Sequence, residues 1–310
     1  MITADKLKII QNISGLTQEV LAKKLGVSFA TLNSWINKKS KPRRSAQKRI
    51  DDLYYKYTGQ RIVPDDILKA KKDIIINKSK GYKNILKKIL KNSDIYDQFI
   101  LSLTYHTNRL EGSTLTQNET KAILFDNIAL ANRSMIEQLE AKNHQTALGY
   151  LFNYLNSSSL KINEELILKL HSILMNGIKS DAGFYRKHGV RILGTNIPTA
   201  NYLKVPILMK GLVKNINLRQ KDIITQIIEV HSRFEQIHPF SDGNGRVGRL
   251  IMQAMLLMNN LPPAIIKQEK KRFYNNGLRK SQLNEDFFPL ENFICDTILK
   301  GFNILERKYS

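Results

Sequence analysis

An all-α fold is predicted: a helical domain carrying one β-hairpin flap, preceded by a helix-turn-helix bundle. Three observations predict it. Apolar residues recur at three- and four-residue spacing over 95–111, 132–155, 163–176, 206–217, 222–237, 246–258 and 287–305, which is the period of a helix with one buried face. Residues 1–58 read as short helices joined by tight turns. One stretch, 190–205, breaks the helical period. It has β-branched residues, then Gly194, Asn196 and Pro198, then more apolar residues, and so reads as a hairpin.

Composition narrows the class. The chain has 310 residues, 42% hydrophobic and 25% charged, an ordinary globular balance. Its single cysteine, Cys295, cannot bridge within the chain or build a cysteine zinc site, and a reducing cytoplasm is expected. The longest strongly apolar stretch, 250–258, is half a bilayer span, so no membrane role is expected. The net charge is +22, and most of it falls on residues 1–92. That asymmetry points to a polyanion partner at the N-terminal end.

The domain plan is 1–58, a basic linker 59–93 with one or two short helices, and a catalytic domain 94–310. Within 1–58, Thr17 is placed to cap a helix, and Val20, Leu21 and Leu25 give that helix an apolar face. Gly26 stands where an inter-helix turn needs positive φ. Ser28 is placed to cap a second helix over 29–37, with Leu32, Trp35 and Ile36 inward. The unit resembles the lambda-repressor-like (XRE) helix-turn-helix domains through Thr-Gln-x-x-Leu-Ala at 17–22, Gly26-Val27-Ser28, Trp35 and Lys41-Pro42. The resemblance implies DNA binding through 1–58, with the second helix in the major groove. Phe29, Ala30, Asn33 and Ser34 are then the candidate base-facing residues, beside the capping Ser28. Gln18 and Lys38 are candidate phosphate contacts. Such modules read paired half-sites, so a homodimer is plausible. The Lys-rich run 69–91 reads as a solvated linker face.

The densest chemistry lies at 237–249, Ile-His-Pro-Phe-Ser-Asp-Gly-Asn-Gly-Arg-Val-Gly-Arg. Pro239 blocks continuation of the preceding helix. Gly243 and Gly245 let the backbone turn and approach a ligand, and an apolar helix follows. A glycine-rich loop feeding a helix N-terminus makes an anion hole from backbone N–H groups. Arg246 and Arg249 are three apart, so they share a helix face and can clamp two phosphates. Asp242 offers a hard oxygen to Mg²⁺, and His238 can deprotonate a hydroxyl. Together these residues make a phosphate-transfer site. No Lys-Ser/Thr follows the glycines, so it is not a P-loop.

This segment matches the Fic family motif, His-x-Phe-x-Asp/Glu-Gly-Asn-Gly-Arg-x-x-Arg, at every defined position, and the resemblance extends over about 94–310. It implies an AMP-transferase that moves AMP from ATP to a hydroxyl side chain of a target protein. By resemblance, His238 is the general base and Asp242 the Mg²⁺ ligand. Gly243, Asn244 and Gly245 cradle the α- and β-phosphates, Arg246 contacts the transferred or leaving phosphates, and Arg249 orients the γ-phosphate. Phe240 anchors the loop. Gly183-Phe184-Tyr185-Arg186 with Val190-x-Ile192-x-Gly194 looks like the approach to a flap, 190–200, where a target docks. Tyr274-x-x-Gly277-Leu278 and Gln282 look like the adenine-side helix, with Leu278 and Gln282 as adenine contacts. Thr107-Asn108-Arg109-Leu110-Glu111-Gly112 matches the family's inhibitory motif, Ser/Thr-x-x-x-Glu-Gly/Asn, at Thr107, Glu111 and Gly112. It puts an inhibitory helix at 95–111 whose glutamate pairs with Arg249. Two alternatives stay open: a transcriptional regulator that senses ATP or modifies itself, and a hydrolase that removes AMP. The remaining histidines show no ligand spacing and read as surface or satisfied residues.

Overall fold

Fifteen α-helices and no strands make up the described residues of the computed structural model, which are 3–58, 65–157, 161–192, 197–218 and 220–307. The chain divides into two units after Leu68.

The first unit holds α1 (Thr3–Ser14), α2 (Gln18–Leu25), α3 (Phe29–Ile36) and α4 (Arg44–Thr58). Thr17 caps α2 by accepting from the Val20 N–H, and Ser28 caps α3 by accepting from the Thr31 N–H. Gly26 ends α2 at φ 64°, where a Cβ would be strained. Leu7, Ile10, Leu21, Leu25, Leu32, Trp35 and Ile50 close a core of their own. At its rim the buried Lys6 meets Asp51 at 2.6 Å.

A helix α5 (Asp65–Lys80) spans the division, and α6 (Ile85–Lys91) follows. The basic stretch, read as a linker with one or two short helices, carries two, the first of 16 residues, and from Lys69 it groups with the second unit. Charge pairing explains the difference. Lys71 meets Asp296, Lys72 meets Asp222 and Glu291, and Lys78 meets Glu306, all within 2.8 Å. Ile75, Ile85 and Ile89 are fully buried beneath these pairs.

The second unit continues with α7 (Ser93–Glu111), α8 (Gln117–Phe125), α9 (Met135–Asn156) and α10 (Glu164–Leu174). After them come α11 (Val205–Ile216), α12 (Ile223–Ile237), α13 (Asn244–Met258), α14 (Lys271–Asn284) and α15 (Phe288–Leu305). α13 is the central helix, with every residue but two from Asn244 to Met258 buried. It is buried nearly all round, its polar Asn244, Arg246, Arg249 and Gln253 included, and so must be surrounded. α7, α9, α10 and α12 pack around it. Met252 and Met255 fill this core, and Cys295 is buried on α15. No described helix is long and apolar enough to cross a membrane.

The flap departs from expectation. Residues 193–196, including Gly194, lie outside the described residues, and the described arms on either side carry no strand. A side chain ties the arms where a ladder was expected: Thr199 Oγ1 donates to the Val190 carbonyl at 2.8 Å.

Candidate active site

The turn 238–243 joins α12 to α13. Pro239 stops α12, and His238 caps it in the left-handed region at φ 52°, its N–H donating to the Phe234 carbonyl. Its Nδ1 lies 3.2 Å from the Glu235 carbonyl oxygen, which can only accept. The ring proton is therefore on Nδ1, and Nε2 is left as the basic nitrogen. Burial depresses the imidazole pKa below 6.5, and the Arg186 charge adds to this. The Glu235 carbonyl and the Glu111 and Asp242 carboxylates oppose it.

Gly243 begins α13 at φ 75°, and a Cβ there would strike Met175 Sδ at 2.8 Å. No side chain caps α13, so the first-turn N–H groups of Asn244, Gly245 and Arg246 face the anion position. The Asn244 side chain is committed elsewhere. Its Oδ1 accepts from the Phe240 N–H at 2.9 Å, and its Nδ2 donates to the Phe240 carbonyl at 2.8 Å. What Asn244 offers a phosphate is its backbone.

Each motif arginine is held by a carboxylate from an outer helix. Arg249 Nη2 donates to Glu111 Oε1 at 2.5 Å, and its Nε donates to Thr107 Oγ1 at 2.6 Å. Gly112 ends α7 at φ 110°, directly after Glu111. Burial is the largest single influence and would raise the Glu111 carboxyl, but the Arg249 charge and hydrogen bond, with the Arg246 and Lys271 charges, together outweigh it and hold the group ionised below its usual range. The Glu111 carboxylate lies over the first turn of α13, where a Cβ on Gly245 would collide with its Oε1. Arg246 Nη1 donates to Glu140 Oε1 at 2.8 Å, with the arginine side chain 3% exposed.

Asp242 is open to solvent, its side chain 48% exposed. Its Oδ1 accepts from the Gly243 N–H at 2.6 Å, and Lys179 Nζ stands 3.8 Å from Oδ2. Among the described residues no cluster of three His, Cys, Asp or Glu side chains could cage a metal. One accessible carboxylate beside a phosphate cradle fits Mg²⁺, which shares its sphere with substrate phosphates and water.

The sequence reasoning missed what lies under the turn. His171 is buried and stacks on Phe240, ring centroids 3.7 Å apart. Its Nδ1 accepts the Gly183 N–H at 2.8 Å, so its Nε2 donates to the Asp242 carbonyl at 3.1 Å. Burial pushes this imidazole down to about 4. Ser241 Oγ donates to Asp181 Oδ2 at 2.5 Å. The available signal for His171 was a polar residue on the apolar face of α10, between Ile167 and Leu174. His231, on the helix before the turn, is buried and satisfied. It bridges the Gly248 carbonyl and the Tyr274 hydroxyl, joining α12, α13 and α14. Leu278 and Gln282 are half-buried on α14, with Gln282 Nε2 donating to the Ser232 carbonyl at 3.1 Å. Beside the return arm of the flap, a groove of about 620 Å³ opens among Thr199, Ala200, Ile207, Leu208, Arg233 and Gln236.

In the first unit, Phe29 is 48% exposed at the start of α3, and Ser28, Ala30 and Lys38 are exposed with it. Asn33 is half-buried, 3.5 Å from Gln18 Oε1, and Asn37 Nδ2 donates to its Oδ1 at 2.6 Å. Ser34 Oγ lies 2.7 Å from Ser40 Oγ.

The family model described as Fic/DOC family matches residues 161–256, and the one described as Helix-turn-helix matches 12–49. The chain carries a Fic domain behind a helix-turn-helix domain. Beyond those models, it is 29% identical over 202 residues to "Protein adenylyltransferase Fic" of Nematostella vectensis, a match covering 62% of this chain and 45% of that one. The protein of the same name from Drosophila ananassae is 29% identical over 205 residues, covering 64% and 40%. The matches thus span less than half of those relatives. Two solved structures share the fold. A Fic domain containing signalling protein from Bacteroides thetaiotaomicron has TM-score 0.67 and 24% identity, covering 76% of this chain and 97% of that one. Fic-1 from C. elegans has TM-score 0.69 and 19% identity, covering 96% and 91%. The matched Fic segment contains α10, α12 and most of α13. Glu111 and Glu140, which hold Arg249 and Arg246, come from α7 and α9, outside it.

Proposed function

We propose that the Fic domain transfers AMP from ATP to a hydroxyl side chain of a target protein, and that Glu111 holds this activity off. The observation that carries the proposal is His238, with Nδ1 tied to the Glu235 carbonyl and Nε2 left free, beside an uncapped helix N-terminus that bears two arginines. His238 Nε2 takes the proton of the target hydroxyl as its oxygen attacks the α-phosphorus. The bond from that phosphorus to the bridging oxygen breaks, and pyrophosphate leaves with the electron pair. The N–H groups of α13 and Arg246 stabilise the charge that develops on the phosphate oxygens. Asp242 would hold Mg²⁺, which neutralises phosphate charge when bound. Arg249 binds the γ-phosphate once Glu111 has left it. With Glu111 in place that cation is taken, and ATP has no anchor at its far end. The relatives named adenylyltransferases support the same chemistry.

The target docks along the flap 190–200 and the groove beside it. The helix-turn-helix binds DNA and brings the transferase to it, in a cytoplasm where ATP and DNA coexist.

The test incubates the full chain, its Glu111→Gly variant and its His238→Ala variant with lysate, Mg²⁺ and ATP labelled at the α- or the γ-phosphate. Protein labelled from α only, strongest in Glu111→Gly and absent in His238→Ala, is the expected result. Label from γ would replace the proposal with a kinase reaction. Glu111-dependent loss of AMP from a modified protein would reverse its direction.

A further inference from the structure

We infer that Arg186 is a positioning residue whose guanidinium fastens both ends of the flap to the backbone of His238, so that the state of the flap is felt at the general base. The inference rests on the AMP-transfer reading of the site.

Arg186 is 3% exposed, yet all the hydrogen-bond partners of its side chain among the described residues are carbonyl oxygens. Nε donates to the His238 carbonyl at 2.7 Å. Nη1 donates to the His188 carbonyl at 2.7 Å, at the outgoing base of the flap. Nη2 donates to the Ala200 carbonyl at 2.5 Å, on the return arm, and reaches the Ile237 carbonyl at 3.4 Å. The Arg186 N–H completes the set by donating to the Pro239 carbonyl at 3.0 Å. One planar fork thus joins three segments of the chain.

The placement suits its chemistry. The last carbonyls of α12 lack helical partners and carry the negative end of its dipole, and a cation there is favourable. His238 sits at φ 52°, a conformation a β-carbon resists, and such residues persist where the surroundings over-determine them. Arg186 supplies that constraint by holding the carbonyls on both sides of the His238 α-carbon. A lysine has one nitrogen and cannot span the same carbonyls.

The charge acts as well. The groups facing the His238 ring are Arg186, Glu111 from α7, Asp242 from the turn and the Glu235 carbonyl from α12. Arg186 is the cation in that set and disfavours the imidazolium.

The experiment compares Arg186→Gln and Arg186→Lys in the full chain, both in the Glu111→Gly background. It reads kcat and KM for ATP, the pH–rate profile, the His238 titration by NMR of ¹³C-labelled histidine, and amide exchange over 188–200. Both variants should lose about 100-fold in kcat, since sub-ångström misplacement of a reacting group costs on that scale, with KM for ATP little changed. In Arg186→Gln the His238 titration and the acid limb should move to higher pH. In Arg186→Lys the charge remains, so the titration should stay in place while the kcat loss and faster flap exchange persist. Wild-type kcat in Arg186→Lys, or an unmoved His238 titration in a folded Arg186→Gln, would overturn the inference. If Arg186→Gln does not fold, the lysine arm decides. If no variant transfers AMP, the proposed function fails, while titration and exchange still judge the Arg186 fork.

Discussion

Glu111 and Arg249 meet at 2.5 Å across two helices that come together at the mouth of the site, with the glutamate side chain 38% exposed and the arginine 8% exposed. The arginine is buried and fixed, while the glutamate is the partner with freedom to leave. Displacing Glu111 therefore changes the site without unfolding its floor.

Glu111→Gly should raise AMP transfer about tenfold or more. A charged hydrogen bond is worth about 1.5–3 kcal/mol, and partial exposure places this one at the low end. Initial rates of α-labelled AMP incorporation check this. A rate equal to or below wild type would remove the inhibitory role.

His238→Ala should cost about 10²–10⁴-fold, the range for a lost general base. The depressed pKa adds a pH signature. His238 stays neutral, and able to accept a proton, somewhat below pH 6.5, so the acid limb of the rate should fall below that value. A limb at or above pH 6.5 in the Glu111→Gly variant would contradict this assignment.

Glu140→Gln should destabilise the second unit by about 3 kcal/mol, because it removes the nearer carboxylate from the buried Arg246 charge and leaves it only Asp242, at 3.9 Å. Arg246 is 3% exposed and Glu140 18%, so solvent cannot restore the loss. Chemical denaturation of the full chain measures it. A change under about 1 kcal/mol would mean that Arg246 has found other partners.

Stability should fall on acidification below pH 6.5. Burial pushes His144 and His231 down to about 3, and His106 and His171 down to about 4. The unfolded chain takes up these protons first, so their contribution is full above pH 6.5 and drains as pH falls through the folded values. Glu235 works in the opposite sense. Burial raises its carboxyl to about 7, so the folded state holds its proton between 4.5 and 7 and loses that contribution as pH rises. Four groups outweigh one, and each unbalanced proton is worth ~1.4 kcal/mol per pH unit. Urea midpoints at pH 5.5 and 7 test the sign, and Glu235→Gln should steepen the difference. Equal midpoints would mean that the histidines are charged in the folded chain.

For the first unit, Lys38→Ala should weaken DNA binding evenly across sequences and lower the salt slope by about 1. Asn33→Ala should instead relax preference at one base pair, by about 1–3 kcal/mol. Binding to a randomised duplex pool at two salt concentrations separates the two effects.

The motif 238–249 was legible because its chemistry is local: the glycines, the arginines and the base lie within one turn and one helix start. The helical periods were legible for the same reason, since a buried face repeats along the chain. What escaped was set by distance. Glu140 meets Arg246 from α9, and nothing around Glu140 in sequence distinguishes it from a surface glutamate. His171 and Arg186 hold the turn from segments dozens of residues away. The lysines of the basic run 69–91 find acids on α15 and before α12, a pairing composition cannot show. In the hairpin pattern β-branched residues flank turn-forming ones, yet the described arms carry no strand, and Thr199 links one to the other.

If Glu111 has the inhibitory role proposed above, the crowding at Gly245 narrows the mutational routes to permanent activity. The atom that would meet a new side chain there belongs to Glu111, and the next nearest to Arg249. A chance substitution at 245 would evict the glutamate, and in the same stroke obstruct the cradle the glutamate guards. A lineage drifting toward permanent activity therefore gains nothing at this position and has to change α7. At that glycine, as at Arg249, the proposed restraint and the cradle it covers change together.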